Sequence, residues 1–171
     1  MLPKFLYGII NIFLILYYEI FLINHNDYIL EADTNIKYIL YAVLSFFMSD
    51  LLAYFVHYFL HLNKFLYLHI HSIHHRDKNP NIISTIHMHP VEISLFFFTY
   101  RLPLILGLPF TQTTFYVYQI VLILWTFLDH SFNQSIFHDH FLHHKYFYGN
   151  YATCLQFWDT LFKTKIRDPS L

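Results

Sequence analysis

Apolar residues gather into four long stretches separated by polar segments. The first runs from Phe5 to Ile23 and is interrupted by Asn11 and Glu19. The second runs from Ile36 to about Phe59. Each reaches the about 20 residues that a helix needs to cross a bilayer core. The third, Val91 to Phe110, carries Arg101, Pro103, Gly107 and Pro109. An arginine at mid-depth costs roughly 3 kcal/mol, so this segment is expected to kink or dip back rather than cross straight. The fourth runs from Thr113 to about Phe132, and only the Leu108–Gln112 turn separates it from the third, so the two form a helical hairpin.

Charge adds a direction. With four segments arranged as two hairpins, the N-terminus, the 60–90 loop and the C-terminal tail share one side. That side holds Lys4, Lys64, Arg76, Lys78, Lys145, Lys163, Lys165 and Arg167; the other keeps Lys37 with Asp27, Glu31 and Asp33. An excess of Lys and Arg marks the cytoplasmic face. The expected fold is all-α: an integral-membrane helical bundle of about four membrane helices, capped on the cytosolic side by histidine-rich helices. Residues 1–171 form a single membrane domain, with 1–35 as N-terminal membrane anchor and loop and 36–171 as the histidine-bearing catalytic region. The lone N-terminal Lys and the lack of a small-residue cleavage site favour an anchor over a cleaved signal.

Composition agrees with a lipid setting. Hydrophobic residues make up 56% and charged residues 12%, more apolar surface than a small sphere can bury. A net charge of -1 without a dense basic patch excludes nucleic acid as a partner. Cys154 is the single cysteine, so no internal disulfide forms. The 14 histidines change the picture: 13 of them fall between His57 and His144. A side chain that titrates near neutrality is costly in so apolar a chain unless something employs it.

Their spacing points to metal. Asp50, Tyr54, His57 and His61 form one helical stripe at the end of the second segment. His71–Ser72–Ile73–His74–His75 puts three imidazoles within about one turn, with one of them turned toward a second centre. His140–Phe141–Leu142–His143–His144 repeats the pattern. His89 opens His89–Pro90–Val91–Glu92, and His130 ends the fourth segment. The ten candidates are His57, His61, His71, His74, His75, His89, His130, His140, His143 and His144. A structural zinc closes with four ligands, so ten imidazoles match a two-metal centre of about five nitrogens each. Asp50, Glu92, Asp129, Asp139 and Asp159 are expected to hold imidazole N–H groups and fix their tautomers.

These motifs resemble the fatty acid hydroxylase and sterol desaturase superfamily over about Asp50 to Thr164. The stripe from Asp50 to His61 is similar to its first box. His71–His75 followed by Ser84–Glu92 is similar to its second box and His-Pro-x-Glu element. His130–Ser131 resembles the isolated histidine after its last membrane helix. His140–His144, Gly149–Asn150–Tyr151–Ala152 and Trp158–Asp159–Thr160–Leu161–Phe162 resemble its closing signature. Departures are Tyr58, where Arg commonly follows the first histidine, His87 in place of a common Arg, and Lys163 in place of a common Gly. The resemblance implies two iron ions, O2 as co-substrate, hydroxylation or desaturation of a membrane lipid, and electrons from a separate cytochrome or ferredoxin. It implies a bacterial inner membrane or endoplasmic reticulum location. Gly totals three residues and no dinucleotide fingerprint appears, in keeping with a separate electron donor.

Three rivals are weighed. An acyl-lipid desaturase shares the histidine boxes but lacks the closing signature. A metal transporter would carry ionisable residues at mid-membrane in several segments, whereas these histidines gather at one edge. A regulatory homologue would bind metal without turnover. Counting bound metal tests the two-metal reading: one ion or none would argue against the enzyme.

Overall fold

The computed structural model describes residues 2–24, 29–30, 33–131 and 138–167, with no account of the side chains of 22, 23 and 138. Asp27 and Glu31 of the expected acidic loop, and Phe132 at the end of the fourth segment, lie outside the described residues. Four long helices form the body: α1 (Lys4–Asn24), α2 (Ile36–Leu62), α4 (Pro90–Ile105) and α5 (Gln112–Asp129). At one end lie α3 (Lys64–His69), 3-10 helices at His71–Arg76 and Ile82–Ile86, α6 (His138–Tyr146) and α7 (Phe157–Leu161). At the other end β1 (Ile29–Leu30) and β2 (Phe110–Thr111) pair in parallel, Ile29 opposite Phe110, and fasten the α1–α2 loop to the α4–α5 turn.

The helices are inside-out by the standard of a soluble protein. Phe5, Ile9, Phe13, Leu16 and Ile20 recur at i, i+3 and i+4 along α1 and face outward. The opposite face buries Asn11, whose amide donates to the carbonyls of Ile86 (2.8 Å) and Met88 (2.9 Å). α2 exposes Ile36, Leu40, Val43, Leu44 and Phe47 while burying Ser45, Ser49, Asp50, Tyr54 and His57. α5 does the same, with Val117, Ile120 and Leu124 outside and Thr114, Tyr118 and Gln119 inside. Buried polar groups with an apolar exterior suit a lipid solvent, in which inward polar contacts hold helices together. Asn11 and Glu19, which interrupt the first apolar run, are the inward face of α1 rather than defects in it.

Among the described residues two helices have the length and hydropathy of membrane spans. They are Lys4–Phe21 (mean hydropathy 1.5) and Ile36–Leu62 (1.9). The expectation of about four spans is met only in part, because α4 has only 16 residues and α5, with 18, is diluted by Gln, Thr, Tyr and Asp. α4 nonetheless packs along α2 and α1, and α5 packs on α2, so α4 and α5 complete the bundle as a hairpin. Arg101 explains the polar break in the third segment: it is buried, pairs with Glu19 of α1 and lies 4.4 Å from the Phe97 ring centroid. Pro103 removes one hydrogen-bond donor shortly before the helix ends at Ile105, and Gly107 (φ 83°) takes the left-handed conformation that turns the chain back.

Candidate metal centre

The C-terminal end of α2 supplies the first pair of imidazoles. His57 and His61 lie one helical turn apart on the inward stripe, and the Asn63 side chain, accepting from Leu66 N, starts α3 directly after them. α3 and the following 3-10 helix carry His71, His74 and His75 back beneath α2. α5 ends at His130, and α6 brings His140, His143 and His144. Nine of the ten candidates then fall into two groups whose donor atoms lie within 4.8 Å of one another: His57, His61, His71, His75 and His143, and His74, His130, His140 and His144.

The division follows a rule the spacing anticipated. Each i, i+4 pair stays together: His57 with His61, His71 with His75, and His140 with His144. The middle histidine of each triplet crosses over, His74 to the second group and His143 to the first. Each triplet therefore serves both groups, which locks the two centres side by side.

The distances fit a cation in each group. In the first, Nε2–Nε2 separations are 3.1 Å for His57–His71, 2.8 Å for His61–His71, 2.9 Å for His71–His75 and 3.1 Å for His75–His143. In the second they are 3.2 Å for His74–His130 and 3.1 Å for His130–His140. Two nitrogens each about 2.1 Å from one ion and at right angles are about 3.0 Å apart. For five of the nine rings, hydrogen bonding between the rings cannot explain the convergence, because their outer nitrogens carry the protons. His57 Nδ1 donates to the Tyr151 carbonyl (2.7 Å), His143 Nδ1 to that of Gly149 (2.7 Å) and His71 Nδ1 to the Glu92 carboxylate (2.6 Å). His130 Nδ1 donates to the Thr126 carbonyl (2.9 Å) and His144 Nδ1 to that of Asp77 (3.0 Å). A neutral imidazole that donates from Nδ1 offers a bare lone pair at Nε2. Lone pairs about 3 Å apart repel unless a positive ion lies between them, and His144 Nε2 is buried without a hydrogen-bond partner.

Electrostatics agree. Burial, and next the neighbouring imidazoles, push His71, His74, His75, His140, His143 and His144 well below the usual histidine pKa. Neutral rings at neutral pH are the state in which imidazole ligates a metal. An all-nitrogen donor set suits iron, zinc, copper or nickel.

His89 does not join either group. It is the N-cap of α4, its Nδ1 accepting from Val91 N at 3.2 Å, and Pro90 occupies the first helical position. The His-Pro-Val-Glu element is thus a helix start, and it projects Glu92 from the third helical position to His71.

The carboxylates divide as well. Glu92 holds His71, and Asp129 lies 3.4 Å from His140 Nδ1. Among the described residues, Asp50, Asp139 and Asp159 hold no imidazole, against expectation. Asp50 accepts from the amides of Cys154 and Leu155, the Thr153 hydroxyl and the Trp158 indole. Asp159 accepts from Tyr151 N, Ala152 N and Thr164 Oγ1, and Asp139 pairs with Lys165. The physical reason is that residues 149–155 bring a run of backbone amides against α2, and those need acceptors more than the rings do. Asp50 and Asp159 thereby hold the loop whose carbonyls take His57 and His143. Those carbonyls, with those of Thr126 and Asp77, are the imidazole-holding groups that sequence reasoning missed. Gly149 was visible in the closing motif as the signal: its φ is 67°, and a Cβ there would lie 2.6 Å from the Thr164 carbonyl oxygen. Asp77 carried no signal beyond following the second box.

A cavity of about 140 Å³ opens onto both groups, reaching His57 and His71 of the first and His74, His130 and His140 of the second. Away from the histidines its walls are mostly apolar, with Ile93, Phe96, Phe97, Leu122 and Ile123 among them, and Glu19, Arg101 and Gln119 add polar groups.

Paired imidazole clusters that could each hold a metal ion lie at one end of a bundle of helices with apolar outer faces. The family whose description is fatty acid hydroxylase matches residues 42–164, and the chain belongs to that family. Over 50 residues, 29% of this chain and 19% of the relative, it is 44% identical to sphinganine C4-monooxygenase 2 of Arabidopsis thaliana. Over 141 residues, 71% of this chain and 51% of the relative, it is 33% identical to very-long-chain aldehyde decarbonylase GL1-8 of Oryza sativa subsp. indica. It is 32% identical over 139 residues to the decarbonylase GL1-11 of the same subspecies, 70% of this chain and 50% of the relative. The chain spans about half the length or less of these curated relatives. No solved structure matches.

Proposed function

We propose that this chain is a di-iron, O2-dependent oxidoreductase acting on a C–H bond of a membrane lipid, as hydroxylase or desaturase. The observation that carries the reading is the pair of imidazole groups with bare Nε2 atoms converging beside one apolar cavity. His57, His61, His71, His75 and His143 would hold one ion, and His74, His130, His140 and His144 the other. Two iron ions supply, when bound, the redox chemistry that an unactivated C–H bond requires and that acid–base groups cannot provide.

The chain's own residues do the rest. Glu92, Asp129 and the loop carbonyls hold the rings so that the lone pairs meet. The apolar walls orient an alkyl segment toward both ions and keep water away from it. Family membership supports a lipid substrate, and the names of the relatives, a sphinganine monooxygenase and aldehyde decarbonylases, support oxidation of a long-chain compound. Electrons are expected from a separate carrier protein of cytochrome or ferredoxin type, since the sequence has no dinucleotide-binding fingerprint. The basic residues beside the metal end favour the cytosolic face, with α4 and α5 as third and fourth membrane helices.

The test is metal content. Purified protein reconstituted anaerobically with ferrous iron is expected to retain about two ions per chain. One ion or none would defeat the di-iron reading. A zinc-loaded chain that transfers metal across vesicles would favour transport instead.

A further inference from the structure

The cavity does not end as it runs. Its far end is formed by three polar side chains, Glu19 of α1, Arg101 of α4 and Gln119 of α5. Arg101 is 4% exposed and Gln119 is 6% exposed. Glu19 neutralises the guanidinium as an ion pair, yet Arg101 Nε has no partner, and both Oε1 and Nε2 of Gln119 are likewise unsatisfied. A buried amide with neither of its groups bonded forfeits its hydration with nothing in return. A structural ion pair accounts for Glu19 and Arg101, but nothing in the bundle accounts for Gln119.

Helix geometry sets the depth of this floor. Glu92 and Arg101 are nine residues apart on α4, or about 13 Å at 1.5 Å per residue. Gln119 and Asp129 are ten apart on α5, or about 15 Å. Both spacings measure from the histidine end to the floor, and the wall between is apolar. An extended alkyl chain advances about 1.25 Å per bond, from a C–C length of about 1.5 Å and an angle of about 111°. The span corresponds to roughly ten carbons.

We propose that Glu19, Arg101 and Gln119 form a receptor for one neutral oxygen-bearing group of the substrate, a hydroxyl or an amide, and so set which carbon lies at the metal centre. The chemistry selects a neutral group. Gln119 offers a donor and an acceptor at once, which a hydroxyl or amide satisfies together. A carboxylate would have to displace Glu19 from Arg101 and would leave the Gln119 acceptor facing an anion. An alkane would leave all the unpaired atoms unpaired. The inference rests on the oxidase reading for its meaning, since only there does the carbon at the histidine end matter; binding at the floor is measurable without turnover.

The experiment uses the full chain in detergent micelles, metal-free and iron-loaded, titrated with decan-1-ol, decane and decanoic acid. The wild type is expected to bind the alcohol about tenfold more tightly than the alkane and more tightly than the acid. Gln119→Leu, similar in size and without polar atoms, is expected to bind alcohol and alkane equally while keeping its iron and its affinity for decane. Equal binding of alcohol and alkane by the wild type would overturn the proposal, and needs no variant. So would a preference for the acid, or an alcohol preference that survives Gln119→Leu, which would mean that water alone occupies the floor. If Gln119→Leu does not fold, Gln119→Met repeats the measurement. A chain that binds no iron yet prefers the alcohol would sink the oxidase reading and leave the receptor standing.

Discussion

The two ends of the bundle bury polar side chains in opposite ways. At the histidine end the outer nitrogens of His57, His71, His130, His143 and His144 each donate to a fixed carbonyl or carboxylate, and the inner ones of His57, His71, His130 and His143 lie about 3 Å from a neighbouring imidazole nitrogen. At the floor, Glu19 and Arg101 satisfy one another only in part, and the Gln119 amide has no hydrogen-bond partner among the described residues. Where unsatisfied atoms are all lone pairs, a metal answers them; where donor and acceptor sit together, a neutral polar ligand does.

Breaking the histidine end should have the largest effect. His143→Ala and His74→Ala each remove the triplet member that crosses to the other group, so both centres should lose a ligand or a neighbour that holds one. Loss of turnover with about one iron or fewer per chain is expected, read by metal analysis beside a membrane-insertion assay. Full activity in both variants would refute the ligand assignment.

Gly149→Ala comes next. An alanine Cβ would overlap the Thr164 carbonyl oxygen and the Ile166 side chain in a left-handed conformation, at a cost of about 1–3 kcal/mol or more. The loop carbonyls that hold His57 and His143 should shift, so thermal stability and iron retention should fall together. A fall in stability with iron affinity unchanged would separate the loop from the centre.

Glu92→Leu removes one carboxylate and leaves every ligand in place. A tenfold to hundredfold loss of metal affinity is the usual consequence of deleting such a partner, measurable by competition with a chelator. The smallest effect should come from His89→Ala, which deletes a helix cap worth about 1 kcal/mol. Iron stoichiometry should stay the same, and His89→Asn should restore the stability. Loss of iron in His89→Asn would return that residue to the ligand set.

Much of the centre was legible because helical spacing is a local property. The i, i+4 pairs, the repeated triplets and the place of His130 at the same end of the bundle can be read from sequence once the helices are placed. His89 was misjudged because a histidine before Pro serves equally as an N-cap, and the choice depends on where the chain goes next. Asp50, Asp139 and Asp159 were misjudged because a carboxylate's partner is set by which backbone amides approach it in space. The carbonyls of Tyr151 and Gly149 were out of reach for the same reason: every residue has one, and only folding aims it.

The sequence alone determined an apolar, all-helical chain and a set of imidazoles too numerous for one ion, because hydrophobic periodicity and residue chemistry are carried by neighbours along the chain. Tertiary structure decided which histidines group together, which carbonyls fix their tautomers, and that Glu19, Arg101 and Gln119 from three separate helices line one cavity. Those are contacts between residues tens of positions apart, and only the packing of helices in space brings them together.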